Sequence, residues 1–213
     1  MSPEGAARIR QRRGAELRRH ILVTAKEVFL ETGYERASMD TVAARAGTSK
    51  RSLYAHFESK DKLFLAILDL IRELYLIRLK TPDAYAADPA EAVALFCGRF
   101  LQLMTWEPQV RTCRLCIAEA ERLPGSSSAY FDAIFATTRD ILTAYLADHF
   151  DADAGPLAED LLARTVLPRL FRTLLNVEGA FKGDPGEDVL PEAVDLSAIR
   201  RLVTSTLPAE AAT

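Results

Sequence analysis

Residues 38–62, Ser-Met-Asp-Thr-Val-Ala-Ala-Arg-Ala-Gly-Thr-Ser-Lys-Arg-Ser-Leu-Tyr-Ala-His-Phe-Glu-Ser-Lys-Asp-Lys, decide how this chain reads. They predict a short helix from about Met39 to Ala46, a tight turn at Gly47, and a second short helix from Ser49 to about Phe57. A third helix starts after a cap signal at Ser59. Val42, Ala43, Ala46, Leu53 and Phe57 are the apolar groups available for burial between these pieces. Lys50, Arg51, Ser52, Tyr54 and His56 remain as polar groups on or near the second helix. Cationic and hydroxyl side chains at the start of such a helix suit entry into a DNA major groove, so a helix-turn-helix is expected.

Working outward, Leu17, Ile21, Ala25, Val28 and Phe29 recur at helical spacing and predict a helix over residues 14–32, ended by Gly33. Residues 1–13 carry Arg8, Arg10, Arg12 and Arg13 and read as a flexible basic arm, either solvated or lying along DNA. Ser38 is an N-cap candidate, because its hydroxyl can accept a free backbone N–H. The third helix runs on to about Lys80. Beyond a loop at 81–89, helices are expected near 90–105, 109–122, 127–150, 156–181 and 195–207, with Pro168 kinking or splitting one of them. No alternating β pattern stands out. The expected class is all-α, with an arm (1–13), a three-helix DNA-binding domain (14–58) and a larger helical domain (59–213).

Charge supports this division. The whole chain has a net charge of −3. Residues 1–62 nonetheless hold 13 lysines and arginines against 8 acids, while the remainder holds 14 against 22. Phosphate contact belongs to the basic part, and the acidic part should face away from DNA. There is no signal segment, and the apolar stretch 63–79 is broken by Asp69, Arg72 and Glu73, so no membrane span and a cytoplasmic protein are expected. A phosphate loop, a nucleophile elbow and a His-Glu-x-x-His pattern are all lacking. Neither an enzyme nor a cofactor is expected. Cys113-Arg-Leu-Cys116 puts two thiols on one helix face, but a metal site needs further ligands, and none is expected.

The first quarter resembles the TetR family of bacterial transcriptional regulators. The residues that carry this are Phe29-x-x-x-Gly33-Tyr34, Ser38-Met39-Asp40-x-Val42-Ala43, Ala46-Gly47-Thr48-Ser49-Lys50 and Leu53-Tyr54-x-His56-Phe57-x-Ser59-Lys60. Arg111–Pro124 looks like one C-terminal subgroup of that family. The resemblance implies that Ser38, Thr48, Ser49, Lys50, Arg51, Ser52, Tyr54, His56 and Lys60 form the DNA contact. Tyr54, His56 and Lys60 match phosphate-contact positions. Arg51 stands where a small residue is common, and its guanidinium either pairs with a guanine edge or reaches only a phosphate.

The resemblance also implies a homodimer on a near-palindromic double-stranded operator. Leu157, Leu161, Leu162, Val166, Leu170, Leu174 and Leu175, with Ile199, Leu202, Val203 and Leu207, are the candidate interface. A small hydrophobic effector is expected among Phe96, Phe100, Leu103, Met104, Trp106, Cys113, Ile117, Phe131 and Phe135, although aromatics at helical spacing also serve as plain core. The leading expectation is a repressor released by that effector. The alternative is a dimeric DNA-binding protein with no effector.

Overall fold

The structure, a computed structural model, describes residues 3–186, 190 and 194–208, with side-chain surroundings from residue 13 onward. The regular elements are α1 (Pro3–Arg36), α2 (Met39–Arg45), α3 (Lys50–His56), α4 (Lys60–Arg78), α5 (Pro89–Thr105), α6 (Glu107–Ala118), α7 (Pro124–Phe131), α8 (Thr137–His149), α9 (Ala154–Thr165), α10 (Leu167–Leu174) and α11 (Leu196–Thr206). A 3-10 turn lies at Pro82–Ala84 and a π turn at Asp132–Ala136. The β-type pairing among the described residues is an isolated bridge between Trp106 and Phe181. The all-α reading holds.

Two compact units emerge. The first comprises residues 1–71 together with 118–129; the second comprises 72–117 and 130–213. The first unit buries Ile21, Ala25, Val28 and Phe29 of α1, Val42 and Ala43 of α2, Leu53 of α3 and Leu63, Phe64 and Ile67 of α4. Phe29, Tyr34 and Phe64 form an aromatic cluster with ring centroids 5.3–5.6 Å apart. Gly33 adopts φ 76° and ψ 167°, a backbone conformation open to glycine alone, and it bends the end of α1. The chain stays helical back to Pro3, where a separate arm was expected, because alanine and arginine favour helix there. The side chains of Arg8, Arg10 and Arg12 lie outside the described surroundings.

In the second unit α5 is buried nearly all round, as a central helix must be. Its Gly98 is closely approached: a Cβ there would lie 3.2 Å from Leu190 and 3.4 Å from Leu196 of α11. The expected 156–181 helix is broken at Val166, ahead of Pro168, and ends at Leu174. The left-handed Asn176 (φ 61°) turns the chain out of helix. The 127–150 helix is likewise interrupted by the π turn.

Much of the expected interface face is buried within the chain. Leu161, Val166, Leu170, Ile199 and Val203 are covered, and Leu157, Leu162, Leu174, Leu202 and Leu207 are partly covered. Leu175 alone of that set is exposed, and Leu167, Phe171 and Val177 join it.

Arg99 on α5 is 1% exposed. Its guanidinium donates to the carbonyls of Arg78 (3.0 Å), Pro185 (2.7 Å) and Gly186, and to the side-chain oxygen of Gln102 (2.6 Å). These bonds tie the 183–186 segment to α5. The same strand of chain is held by Phe181, whose N–H donates to Thr105 and whose carbonyl accepts from Glu107, each at 2.8 Å.

Candidate nucleic-acid interface and ligand pocket

The geometry of the first unit begins with its caps. The Ser38 hydroxyl accepts the Thr41 N–H at 3.0 Å and starts α2. The Ser49 hydroxyl accepts the Ser52 N–H at 3.1 Å and starts α3. Ser59 does the same for Lys62 at the head of α4. Between α2 and α3, Gly47 takes φ 60°, and the Thr48 N–H closes back on Ala43 at 3.0 Å. A side chain at that φ would be strained.

Leu53 is fully buried and anchors α3 by one face. The opposite face presents Lys50, Arg51 and Tyr54 to solvent, with Ser52 and His56 half-buried beside them. Lys50 is held 2.6 Å from Asp40 across the turn. Both partners are mostly exposed, so the pair contributes little to stability and yields readily to a phosphate. Arg51 makes no ion pair among the described residues. Arg45 pairs with Glu31 behind the turn.

Lys60 is less open than its resemblance-based role implies. Its ammonium donates to the Glu35 carbonyl at 3.1 Å and lies 4.3 Å from the centre of the Tyr34 ring. Burial, then the neighbouring Arg122 charge, lowers its pKa. Arg122 stands 4.2 Å from the same ring and also pairs with the buried Glu119. The Tyr34 hydroxyl donates to Asp61, and burial raises its pKa further. Two cations thus share one aromatic ring, an arrangement favoured by the negative ring faces. Sequence reasoning missed Arg122 and Tyr34 in this role. The Tyr34 motif position was visible, but nothing local links it to a residue on the α6–α7 connection.

The second unit holds a cavity of about 290 Å³ lined by Phe100, Phe131, Phe135, Ala136, Arg139, Glu159, Leu162, Ala163 and Leu167. Of the expected effector residues, Phe100, Phe131 and Phe135 meet here. Phe96, Leu103 and Met104 are instead core. Trp106 lies under the Arg78 guanidinium, 5.1 Å from its ring centre. Ile117 is 60% exposed and lies outside this cavity. Cys113 is packed against Tyr130. Burial pushes the thiols of Cys97 and Cys116 up to about 12 and raises that of Cys113, which leaves all three protonated and poorly nucleophilic at neutral pH. Among the described residues no helix is long and apolar enough to cross a membrane.

Comparison with known proteins follows this division. Residues 21–67 match the bacterial regulatory proteins of the tetR family, and residues 91–165 match the C-terminal domain of AefR-like transcriptional repressors. The chain is 53% identical over 53 residues to the HTH-type transcriptional activator FasR of Mycolicibacterium smegmatis. That alignment covers 25% of this chain and 24% of FasR. It is 27% identical over 154 residues to the nucleoid occlusion factor SlmA of Edwardsiella ictaluri, covering 68% and 78%. The fold is similar to that of the flavonoid-responsive regulator FrrA, with a TM-score of 0.72, 22% identity and coverage of 91% and 97%. With both its helix-turn-helix and its C-terminal part matched, the chain belongs to the TetR family, a family of bacterial transcriptional regulators and not of enzymes.

Proposed function

We propose that this protein is a ligand-responsive, dimeric transcriptional repressor that leaves a palindromic operator when a small hydrophobic effector binds. The observation that carries the DNA-binding part is α3: one face sealed by Leu53, the other presenting Lys50, Arg51 and Tyr54 beyond a glycine turn. Ser38, Thr48, Ser49, Ser52, His56 and Lys60 complete the contact, with Ser38 and Ser49 serving as helix caps as well. One seven-residue helix reads few base pairs, so two copies about one helical turn apart are needed for useful affinity. Leu167 and Phe171 of α10 and the C-cap residue Leu175, exposed at 38%, 59% and 73%, recur at four-residue spacing and support pairing with a second copy. On this reading the protein acts in the cytoplasm, where it meets operator DNA.

Effector response is supported by the aromatic cavity and by the chain connections that leave it. Phe131 lies two residues beyond the 118–129 segment, and that segment belongs to the DNA-binding unit. α4 likewise starts in that unit and ends in the other. A ligand that prefers one arrangement of these connections shifts operator affinity by that preference. The match of residues 91–165 to AefR-like repressors favours repression. Selection of bound DNA from a random pool tests the reading: a palindrome is expected, and recovery of no sequence overturns it. Small apolar compounds are then expected to release the protein from that palindrome.

A second reading is DNA binding without an effector; the chain is also similar over 68% of its length to SlmA, named a nucleoid occlusion factor. Under it, ligands filling the cavity leave DNA affinity unchanged.

A further inference from the structure

One acid stands among the donors at the head of α3. The acids of residues 38–62 are Asp40, Glu58 and Asp61. Asp61 accepts the Tyr34 hydroxyl, and Glu58 follows the far end of α3. Asp40, in the first turn of α2, instead reaches the first residue of α3: its Oδ2 accepts from Lys50 Nζ at 2.6 Å. Its side chain is 61% exposed, and among the described residues no hydrogen bond reaches its Oδ1.

The fold holds Asp40 beside the head of α3. Met39, Val42 and Ala43 of α2 and Leu53 of α3 are buried, and the Thr48 N–H closes the turn on Ala43 at 3.0 Å. The N-terminal residues of a recognition helix meet base edges, so a carboxylate bonded to Lys50 enters the same groove as Lys50 and Arg51. A bare carboxylate there is repelled by the phosphates. Lys50 cancels that charge, and an ammonium with three donors keeps two of them for a phosphate.

We infer that Asp40 reads a base: its carboxylate accepts a hydrogen bond from the N4 amino group of a cytosine in the major groove of the operator. The inference rests on the reading of α3 as the DNA-contacting helix and adds to it a specificity residue supplied by α2. An ionised carboxylate only accepts hydrogen bonds. Guanine presents N7 and O6 and thymine presents O4, all acceptors, and they repel it. Adenine offers its N6 amino group, but with the N7 acceptor beside it. Cytosine offers a donor with no acceptor on its own major-groove edge. A carboxylate that served only the positive end of α2 would stabilise that helix and carry no base preference.

The test is selection of bound DNA from a random pool by the full-length protein, by Asp40→Ala and by Asp40→Asn. The wild type is expected to recover a site with one strongly preferred cytosine per half-site that Asp40→Ala no longer selects. On fixed operator duplexes, replacing that C·G pair is expected to weaken the wild type about tenfold or more and Asp40→Ala hardly at all. Asp40→Asn is expected to move the preference to adenine, whose N6 and N7 suit an amide. The exposure of Asp40 predicts that both variants keep their fold, checked by melting temperatures close to that of the wild type. A wild-type site recovered unchanged by Asp40→Ala, or an affinity that shifts equally for every sequence, overturns base reading by Asp40 and leaves α3 as the contact helix. Recovery of no sequence by the wild type overturns both.

Discussion

The two units treat arginine in opposite ways. In the first, Arg51 stands in solvent on a helix whose other face is sealed by Leu53. In the second, Arg99 is buried and spends its donors on backbone carbonyls and Gln102. The first arrangement keeps donors available for an external partner. The second uses the same side chain to hold a chain segment in place. A guanidinium is read as a contact residue only when its donors are unspent, and that property belongs to the fold and not to the residue.

The comparison is broken most forcefully at Arg99. Arg99→Met is expected to lower stability by about 3 kcal/mol or more in urea unfolding, because buried carbonyls lose their donor. A loss below about 1 kcal/mol would mean that the 183–186 segment is not held by this group.

Leu53→Ala tests the seal under α3 and is expected to cost about 2–5 kcal/mol. Circular dichroism melting and operator binding should fall together, since the exposed face is positioned by the buried one. Arg51→Ala should leave stability within about 0.5 kcal/mol, as a surface change does. It should cost about 1–3 kcal/mol at one base pair if the side chain reads a guanine. Equal weakening of every site in a binding selection would show that it reaches only phosphate.

Arg122→Ala removes one of the two cations on Tyr34 and leaves Glu119 buried without its pair. A lower melting temperature is expected, and a double-mutant cycle with Tyr34→Leu assigns the part that comes from the ring. Lys50→Ala should affect stability little, because its exposed pair with Asp40 is worth at most about 1 kcal/mol. Its expected signature lies in DNA binding: weaker affinity for all sequences and a salt dependence shallower by about one unit of slope.

Legibility follows the same contrast. The caps at Ser38, Ser49 and Ser59, the turn at Gly47 and the burial of Val42, Ala43, Ala46, Leu53 and Phe57 were all readable, because each rests on contacts a few residues apart. Lys60 was readable as a position but not as an environment. The groups that define its surroundings are Glu35, Tyr34 and Arg122, the last of them 62 residues away. Among the effector candidates, helical spacing could not separate the core residues Phe96 and Met104 from Phe131 and Phe135, which line the cavity. Aromatics on a core face and aromatics on a pocket wall have the same period. The candidate interface leucines divide for a related reason: some are covered within the chain and some are not, because an apolar face must be covered but its period does not say by what.

The sequence by itself determined the helical class, the helix-turn-helix and its caps, because turn chemistry and amphipathic period act over one or two helical turns. The tertiary structure alone decided that 118–129 joins the DNA-binding unit, that Arg99 is spent inside, and that Phe100, Phe131, Phe135 and Glu159 line one cavity. These outcomes depend on which distant segments pack together. Non-directional burial leaves that open until the whole chain competes for the same core.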